Sequence, residues 1–192
     1  MSRLRVLAFA GSARQASYNK LLVQVAADAA TQAGADVTRL DLKEYPLPLF
    51  DEDLEQAEGM PKNATKLKQL FLDHDGLLIA CPEYNSSITP LLKNTIDWVS
   101  RPAAGEPPLA AYVGKVATLM SASPGGLGGM RGLVHVRSIL SNIGVIVLPD
   151  QVAMPNAHEA FDESGALQDA RQRAKIEALG AGLVSILARL NS

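Results

Sequence analysis

Small hydroxyl and amide side chains surround one arginine in the stretch from Gly11 to Asn19. An apolar run at residues 4–10 precedes this stretch, and a helical pattern follows from about Lys20. A strand that turns through such residues into a helix is typical of an anion site, because the helix N-terminal amides lack backbone partners and carry partial positive charge. The predicted phosphate ligands are Ser12, Arg14, Ser17 and Asn19.

The common nucleotide motifs do not fit this first turn. It lacks the Gly-Lys-Ser/Thr of a triphosphate loop and the G-x-G-x-x-G of a dinucleotide fold, so a single terminal phosphate fits better. The alternative interpretation is an ordinary strand–helix turn in which Ser17 or Asn19 simply caps the helix.

A second polar turn follows the continuously apolar run 76–81, and Thr89 and Pro90 then suit the start of a helix. A third turn, residues 121–129, follows the apolar run 116–121 and has four glycines in its last five residues. Glycines permit close approach of the backbone to a flat ligand, although a flexible loop is the alternative. The candidate ligand-binding residues of these two turns are Pro82, Glu83, Tyr84, Asn85 and Ser86, with Ser123, Gly125 and Gly126.

Five apolar runs alternate with five helical patterns along the chain. The predicted strands are 4–10, 36–42, 76–81, 116–121 and 144–148, and the predicted helices are 19–33, 61–75, 90–99, 130–142 and 167–190. This alternation indicates an α/β three-layer sandwich around a five-stranded parallel sheet. In the flavodoxin-like strand order 2-1-3-4-5, ligands bind at the carboxyl ends of the strands, where all three turns meet. We expect a single domain over residues 1–192.

Composition excludes several classes of protein. The 192 residues carry a net charge of −2, which argues against a general nucleic-acid binder. No apolar run has membrane-spanning length and the N-terminus lacks the pattern of a signal peptide. The single cysteine, Cys81, is expected to be a small buried residue, and one unpaired cysteine is typical of the cytoplasm.

Three parts of the chain outside the turns also give structural expectations. Residues 43–60 form a long connection whose acidic group, Asp51 to Glu55, is expected to be a solvated face rather than a metal site. Trp98 is expected in the core or at a subunit interface. Residues 149–166 are predicted to be irregular.

A phosphate turn beside a turn that carries Glu83, Tyr84 and Asn85 suggests a flat, phosphorylated ligand with hydrogen-bonding edges. Riboflavin 5′-phosphate (FMN) has these properties. Its phosphate would lie on residues 11–19 and its pyrimidine edge on residues 83–87, with the glycines of the third turn at the other edge.

Three motifs stand out in order along the chain: Gly11-Ser12-x-Arg14-x-x-Ser17-x-Asn19, Pro82-Glu83-Tyr84-Asn85 and Leu92-Lys93-Asn94-x-x-Asp97-Trp98. They resemble the motifs of the NAD(P)H-dependent FMN reductase family, and most closely those of its chromate- and quinone-reductase members, and the resemblance extends over nearly the whole chain. It implies a flavodoxin-like fold that holds FMN on the residues named above. It also implies a homodimer or homotetramer.

The resemblance further implies two-electron hydride transfer from NADPH or NADH through FMN to a quinone, with chromate, azo compounds or free flavin as other acceptors. The flavin carries this chemistry, so no catalytic residue and no metal ligand is predicted.

Two other functions compete with this interpretation. A flavodoxin-type electron carrier would clamp the flavin between aromatic side chains, but the chain is only 5% aromatic. A sugar-phosphate or nucleotide enzyme on the same fold would need a general base, and Glu83 is the one carboxylate in the three turns. His74 is expected at the opposite rim, and His135 and His158 in surface or core positions.

Overall fold

A computed structural model describes residues 3–191, in which strands and helices alternate along most of the chain. The strands are β1 (Arg5–Ala10), β2 (Asp36–Leu40), β3 (Gly76–Ala80), β4 (Glu83–Tyr84), β5 (Ser87–Ile88), β6 (Val116–Ala122) and β7 (Ile146–Met154). The helices are α1 (Tyr18–Gln32), α2 (Glu52–Glu58), α3 (Lys62–Leu72), α4 (Pro90–Ser100), α5 (Met130–Asn142), α6 (Ala157–Ala160) and α7 (Ala170–Leu190).

The main sheet is parallel throughout and has the order β2-β1-β3-β6-β7. When the small β4–β5 hairpin is set apart, this is the predicted flavodoxin-like order 2-1-3-4-5, which is confirmed. The chain leaves β1 toward one edge of the sheet and β3 toward the other, so a crevice forms at their carboxyl ends.

Two apolar cores cover the two faces of the sheet, because successive side chains of a strand point to opposite faces. Val6, Ala8 and Ala10 of β1 pack with α1 and α7, whereas Leu7 and Phe9 pack with α3, α4 and α5. The result is the predicted three-layer sandwich. Cys81, directly after β3, is buried in the second core, as predicted.

The edge strand β7 is longer than predicted. It continues to Met154, whereas the sequence predicts an irregular segment from residue 149, and α6 interrupts the same segment. The pairing with β6 shifts between Ala117 and Leu119, so that 147 and 151 lie opposite 117 and 119. Pro149 lies in this bulge, where a residue without an amide proton is tolerated, and pairing resumes after it.

The connection 43–60 is ordered and bound to α4. It contains α2, which the sequence analysis did not predict and which Asp51 caps by accepting a hydrogen bond from the Asp53 amide at 2.8 Å. The buried Trp98 donates its indole N–H to the Pro48 carbonyl at 2.8 Å, and Glu55 pairs with Arg101. The acidic group is therefore partly engaged in an ion pair, and Trp98 is confirmed as a core residue.

Candidate functional site

The first turn, residues 11–17, joins β1 to α1. Ser12 and Ser17 are buried, and the Ser12 hydroxyl accepts a hydrogen bond from the Arg14 amide at 3.2 Å. Ser17 occupies the N-cap position of α1, yet its side chain makes no capping hydrogen bond. The hydroxyl group of Ser17 is therefore not used as a helix cap.

The N-terminus of α1 offers hydrogen-bond donors at this turn. The amides of Tyr18 and Asn19 have no acceptor within residues 3–191. Arg14 is exposed nearby, with its guanidinium carbon 5.9 Å from the centroid of the Tyr18 ring, and that ring stacks on Phe161 at 6.1 Å. Unpaired amides at a helix N-terminus with an adjacent cation form a donor set suited to a phosphate.

The second turn is a β-hairpin that the sequence analysis did not predict. β4 and β5 pair antiparallel, and the two residues between them, Asn85 and Ser86, have φ angles of 49° and 68°. Two left-handed residues match the right-handed twist of a two-residue hairpin, but they are strained for side chains other than glycine. The hairpin exposes 57% of Tyr84, while Pro82 before it is buried.

In the third turn, the residues that follow β6, 123–129, divide into an exposed part and a packed part. Gly125 and Gly126 are exposed, and the Ser123 hydroxyl accepts a hydrogen bond from the Gly125 amide at 3.2 Å. Gly128 and Gly129 are buried with φ angles of 61° and 86°, and a Cβ on either would overlap its neighbours. The first pair of glycines therefore leaves space beside the rim, whereas the second pair is required by packing.

Hydrogen bonds fasten the first turn to the other two. The Thr89 hydroxyl donates to the Gly11 carbonyl at 2.7 Å and accepts from the Leu92 amide at 3.2 Å, so it caps α4 as predicted and also joins the first and second turns. The Asn19 amide group donates to the Ala122 carbonyl at 2.8 Å, and its Oδ1 accepts from the Ala122 amide at 3.0 Å. Asn19 thus joins the first turn to the end of β6.

Glu83 joins the second turn to α5. Its carboxylate accepts hydrogen bonds from the Arg131 Nε at 2.8 Å and the Gly132 amide at 3.2 Å. Burial alone would raise the pKa of Glu83, but these hydrogen bonds and the Arg131 charge outweigh burial and hold its pKa below the usual value. The carboxylate is therefore ionised, its oxygens already accept hydrogen bonds from Arg131 and Gly132, and it is a poor general base.

The three predicted turns therefore lie together at one rim of the sheet, and each is hydrogen-bonded to a neighbour. Residues 4–159 match the family described as NADPH-dependent FMN reductase. The chain belongs to this family. The chain is therefore an NAD(P)H-dependent flavin oxidoreductase with FMN as cofactor and NAD(P)H as co-substrate.

Known proteins of related function are similar to this chain in sequence and in structure. The chain is 35% identical to an NAD(P)H-dependent FMN reductase of Pseudomonas aeruginosa over 175 residues, which cover 91% of this chain and 90% of the relative. It is 35% identical to a quinone reductase of Escherichia coli over 146 residues, covering 76% and 74%. The structure of FerB, a flavoenzyme NAD(P)H:(acceptor) oxidoreductase from Paracoccus denitrificans, superimposes with a TM-score of 0.81 at 26% identity over 97% and 98% of the two chains.

The residues of the rim fit FMN. The unpaired amides of Tyr18 and Asn19 are suited to its phosphate, and the strained hairpin at Asn85 and Ser86 is the kind of backbone that functional sites retain. Gly126 has no atom within 4 Å of the position where a Cβ would lie. No side chain therefore obstructs the approach of a planar ring to the backbone at Gly126.

Several residues at this rim had no signal in the sequence. Arg131 pairs with Glu83 across 48 positions, and the exposed His135 contacts the Ser87 hydroxyl through Nδ1 at 2.8 Å. The Ser121 hydroxyl is buried without a hydrogen-bond partner among the described residues.

Within residues 3–191, none of the helices combines the length and apolar character that crossing a membrane requires.

Replacing Asn19 with alanine is expected to lower the free energy of unfolding by about 3 kcal/mol, because the buried amide and carbonyl of Ala122 lose their partners. Urea denaturation of the FMN-free protein measures this change. Asn63→Ala is the control, since Asn63 makes one exposed hydrogen bond to Pro46 and its loss is expected to cost less than about 1 kcal/mol. Equal losses in the two variants would contradict the structural role of Asn19.

Proposed function

We propose that this chain reduces quinone-like acceptors with two electrons that NAD(P)H delivers through FMN bound at the three turns. The observation that carries the proposal is the meeting of these turns: Thr89 joins the first turn to the second, Asn19 joins the first turn to the third, and Glu83 joins the second turn to α5. The similarity to the quinone reductase of Escherichia coli supports the choice of acceptor. Chromate, azo compounds and free flavin are secondary candidates.

The phosphate of FMN would lie on the first turn, where Ser12, Arg14 and Ser17 and the amides at the start of α1 supply donors. Asn19 would contribute mainly through its backbone N–H, because its side chain already makes two hydrogen bonds to Ala122. One of the two protons on its side-chain Nδ2 is left for the phosphate contact that the sequence predicts. A charged guanidinium and several neutral donors together balance a dianionic phosphate.

The flavin ring would lie on the hairpin, on residues 82–86, with Ser123, Gly125 and Gly126 at its other edge. The backbone of Glu83 would serve this ring, because the carboxylate is bound by Arg131 and Gly132. When bound, FMN supplies the chemistry by accepting a hydride and passing two electrons to the acceptor. The protein would position the ring through the hairpin backbone and the third turn.

Two features of the rim disfavour the competing functions. Tyr84 is the one aromatic side chain expected beside the ring, whereas an electron carrier would clamp the ring between two aromatic side chains. Glu83 is the one carboxylate in the three turns, and hydrogen bonds from Arg131 and the start of α5 lower its pKa. It is therefore a poor general base for a sugar-phosphate enzyme.

We further propose a homodimer or homotetramer of single-domain subunits over residues 1–192. Exposed apolar side chains beside the rim support this assembly, since Met130 and Val134 on α5 are 51% and 60% exposed. One continuous sheet with a core on each face supports a single domain. The free, buried thiol of Cys81 is compatible with a cytoplasmic location.

The absorbance spectrum of the purified protein tests the proposed function. A flavin spectrum that NADPH bleaches without oxygen, and that returns when a quinone is added, is the expected result. A flavin that NADPH leaves oxidised would support the carrier function instead. A protein that stays colourless after incubation with FMN would overturn the proposal.

Replacing Arg14 with alanine is expected to weaken FMN binding by about 10- to 100-fold, because one charged hydrogen bond to the phosphate is lost. Hydride transfer in the FMN-loaded variant is expected to change far less, since Arg14 would not contact the ring. The flavin-to-protein ratio after gel filtration and stopped-flow reduction by NADPH measure the two effects. Arg189→Ala, at the far end of α7, is the control for charge loss, and equal flavin retention in all three proteins would contradict the phosphate assignment.

A further inference from the structure

The N-terminus of α5 has no cap from its own turn. The N-cap residue is Gly129, which has no side chain and makes no side-chain capping hydrogen bond. Helix N-termini are stabilised by acceptors at the free amides and by negative charge. At α5 the acceptor comes from the hairpin, since the Glu83 carboxylate binds the Gly132 amide at 3.2 Å.

Both oxygens of this carboxylate are engaged. Oε1 accepts from the guanidinium of Arg131 and Oε2 from the Gly132 amide, and the Glu83 side chain is only 9% exposed. A carboxylate in this state has little capacity left for a ligand. Its interactions instead fasten the first strand of the hairpin to the first turn of α5.

A second contact fastens the other strand of the hairpin. The Ser87 hydroxyl lies 2.8 Å from Nδ1 of His135, one turn further along α5. Between the two contacts, a Cβ on Gly132 would lie 3.3 Å from the Ser87 carbonyl and 3.4 Å from the Glu83 Cβ, so the hairpin rests directly on the helix. Each strand of the hairpin is therefore held by one side-chain contact to α5.

We propose that Glu83 is a positioning residue: it caps α5 from the hairpin and thereby fixes the hairpin backbone that holds the flavin ring. This inference rests on the proposed function, because it takes the hairpin as the ring-binding segment. The backbone groups at 83–87 contact the ring, and Glu83 acts on the flavin only through them. Ser87 and His135 assist by holding the second strand.

Hydrogen exchange of the FMN-free protein tests the structural half of the inference. In Glu83→Ala, the amides of residues 84–88 and 131–132 are expected to exchange about tenfold faster or more, because a charged hydrogen-bond network is lost. Glu83→Gln is expected to be intermediate, since its neutral oxygen still accepts from the Gly132 amide. Arg14→Ala is the matched control and is expected to leave the exchange of the hairpin unchanged.

The flavin half is tested by the midpoint potential and the visible circular dichroism of bound FMN at saturation. A looser hairpin changes the affinity for oxidised FMN and the affinity for reduced FMN unequally. The ratio of these two affinities sets the midpoint potential, and it is expected to shift about threefold or more in Glu83→Ala. Arg14→Ala is expected to weaken binding without this shift, because the phosphate contact is the same in both oxidation states. Partial recovery in Glu83→Gln would support the capping role.

The outcomes separate this inference from the proposed function. A wild-type protein that binds no FMN defeats the proposed function, while the exchange experiment still reports on the cap. Bound FMN with unchanged hairpin exchange in Glu83→Ala overturns the capping role, and faster exchange with an unchanged potential overturns the effect on the flavin. If Glu83→Ala does not fold, Glu83→Gln and Arg131→Ala decide by the same two measurements.

Discussion

Replacing Gly180 with alanine is expected to lower the free energy of unfolding by about 3 kcal/mol. Gly180 lies on the face of α7 that packs on α1, and a Cβ there would be 2.0 Å from the Ala26 carbonyl oxygen and 3.1 Å from the Ala30 amide nitrogen. These atoms belong to a helix backbone and cannot rotate away. The two helices must separate, and the core between them loses its close packing.

Gly182→Ala is a matched control in the same helix. No atom lies within 4 Å of a Cβ built at Gly182, so alanine there is expected to stabilise the protein by about 0.5–1 kcal/mol through helix propensity. Chemical denaturation of the two variants measures both effects. Similar stabilities for Gly180→Ala and Gly182→Ala would show that α1 and α7 are not in close backbone contact. Because α1 begins at the proposed phosphate-binding turn, Gly180→Ala is also expected to weaken FMN binding.

Replacing Gly129 with alanine is expected to lower the free energy of unfolding by about 3 kcal/mol and to abolish retention of FMN. The added Cβ would lie 1.9 Å from the Ser121 hydroxyl oxygen, and the φ angle of 86° is itself unfavourable for alanine. The third turn and the start of α5 must move to relieve this overlap. Both border the proposed flavin site, so stability and cofactor binding are lost together.

Gly126→Ala is the control for this change. It lies in the same turn, with open space around its Cβ position, so its stability is expected to remain within about 0.5 kcal/mol of the parent. The double variant Ser121→Ala/Gly129→Ala removes the overlapping oxygen and is expected to recover part of the lost stability. Flavin retention after gel filtration and urea denaturation are the measurements. A Gly129→Ala protein that retains FMN as well as the parent protein does would contradict the proposed geometry.

The sheet could be predicted because its central strands are continuously apolar. β1, β3 and β6 are covered on both faces, so their sequences leave no ambiguity about burial, and their observed bounds agree with prediction to within one residue. The turns that follow them break this pattern abruptly. The strand order alone then predicts that these turns lie together at one rim.

The contacts that hold the rim together could not be predicted, because no periodicity connects residues so far apart. Asn19 and Ala122 are 103 positions apart, and an asparagine at the start of a helix suggests a cap rather than a link to another strand. The hairpin was missed because Asn85-Ser86 is not the Asn-Gly pair that marks such turns. Likewise, β7 continues past Pro149 because a bulge accommodates the proline, which sequence pattern alone does not reveal.

Burial of Cys81 has a consequence for the proposed reduction of quinones. Quinones are electrophiles that add to accessible thiolates, and a cysteine beside the rim would be a target for the acceptor itself. Cys81 directly precedes Pro82, yet it is fully buried, and burial raises the pKa of its thiol, so the reactive anion does not form. The chain's one sulfhydryl is thereby protected from arylation, and thiol reagents should leave the folded protein unmodified.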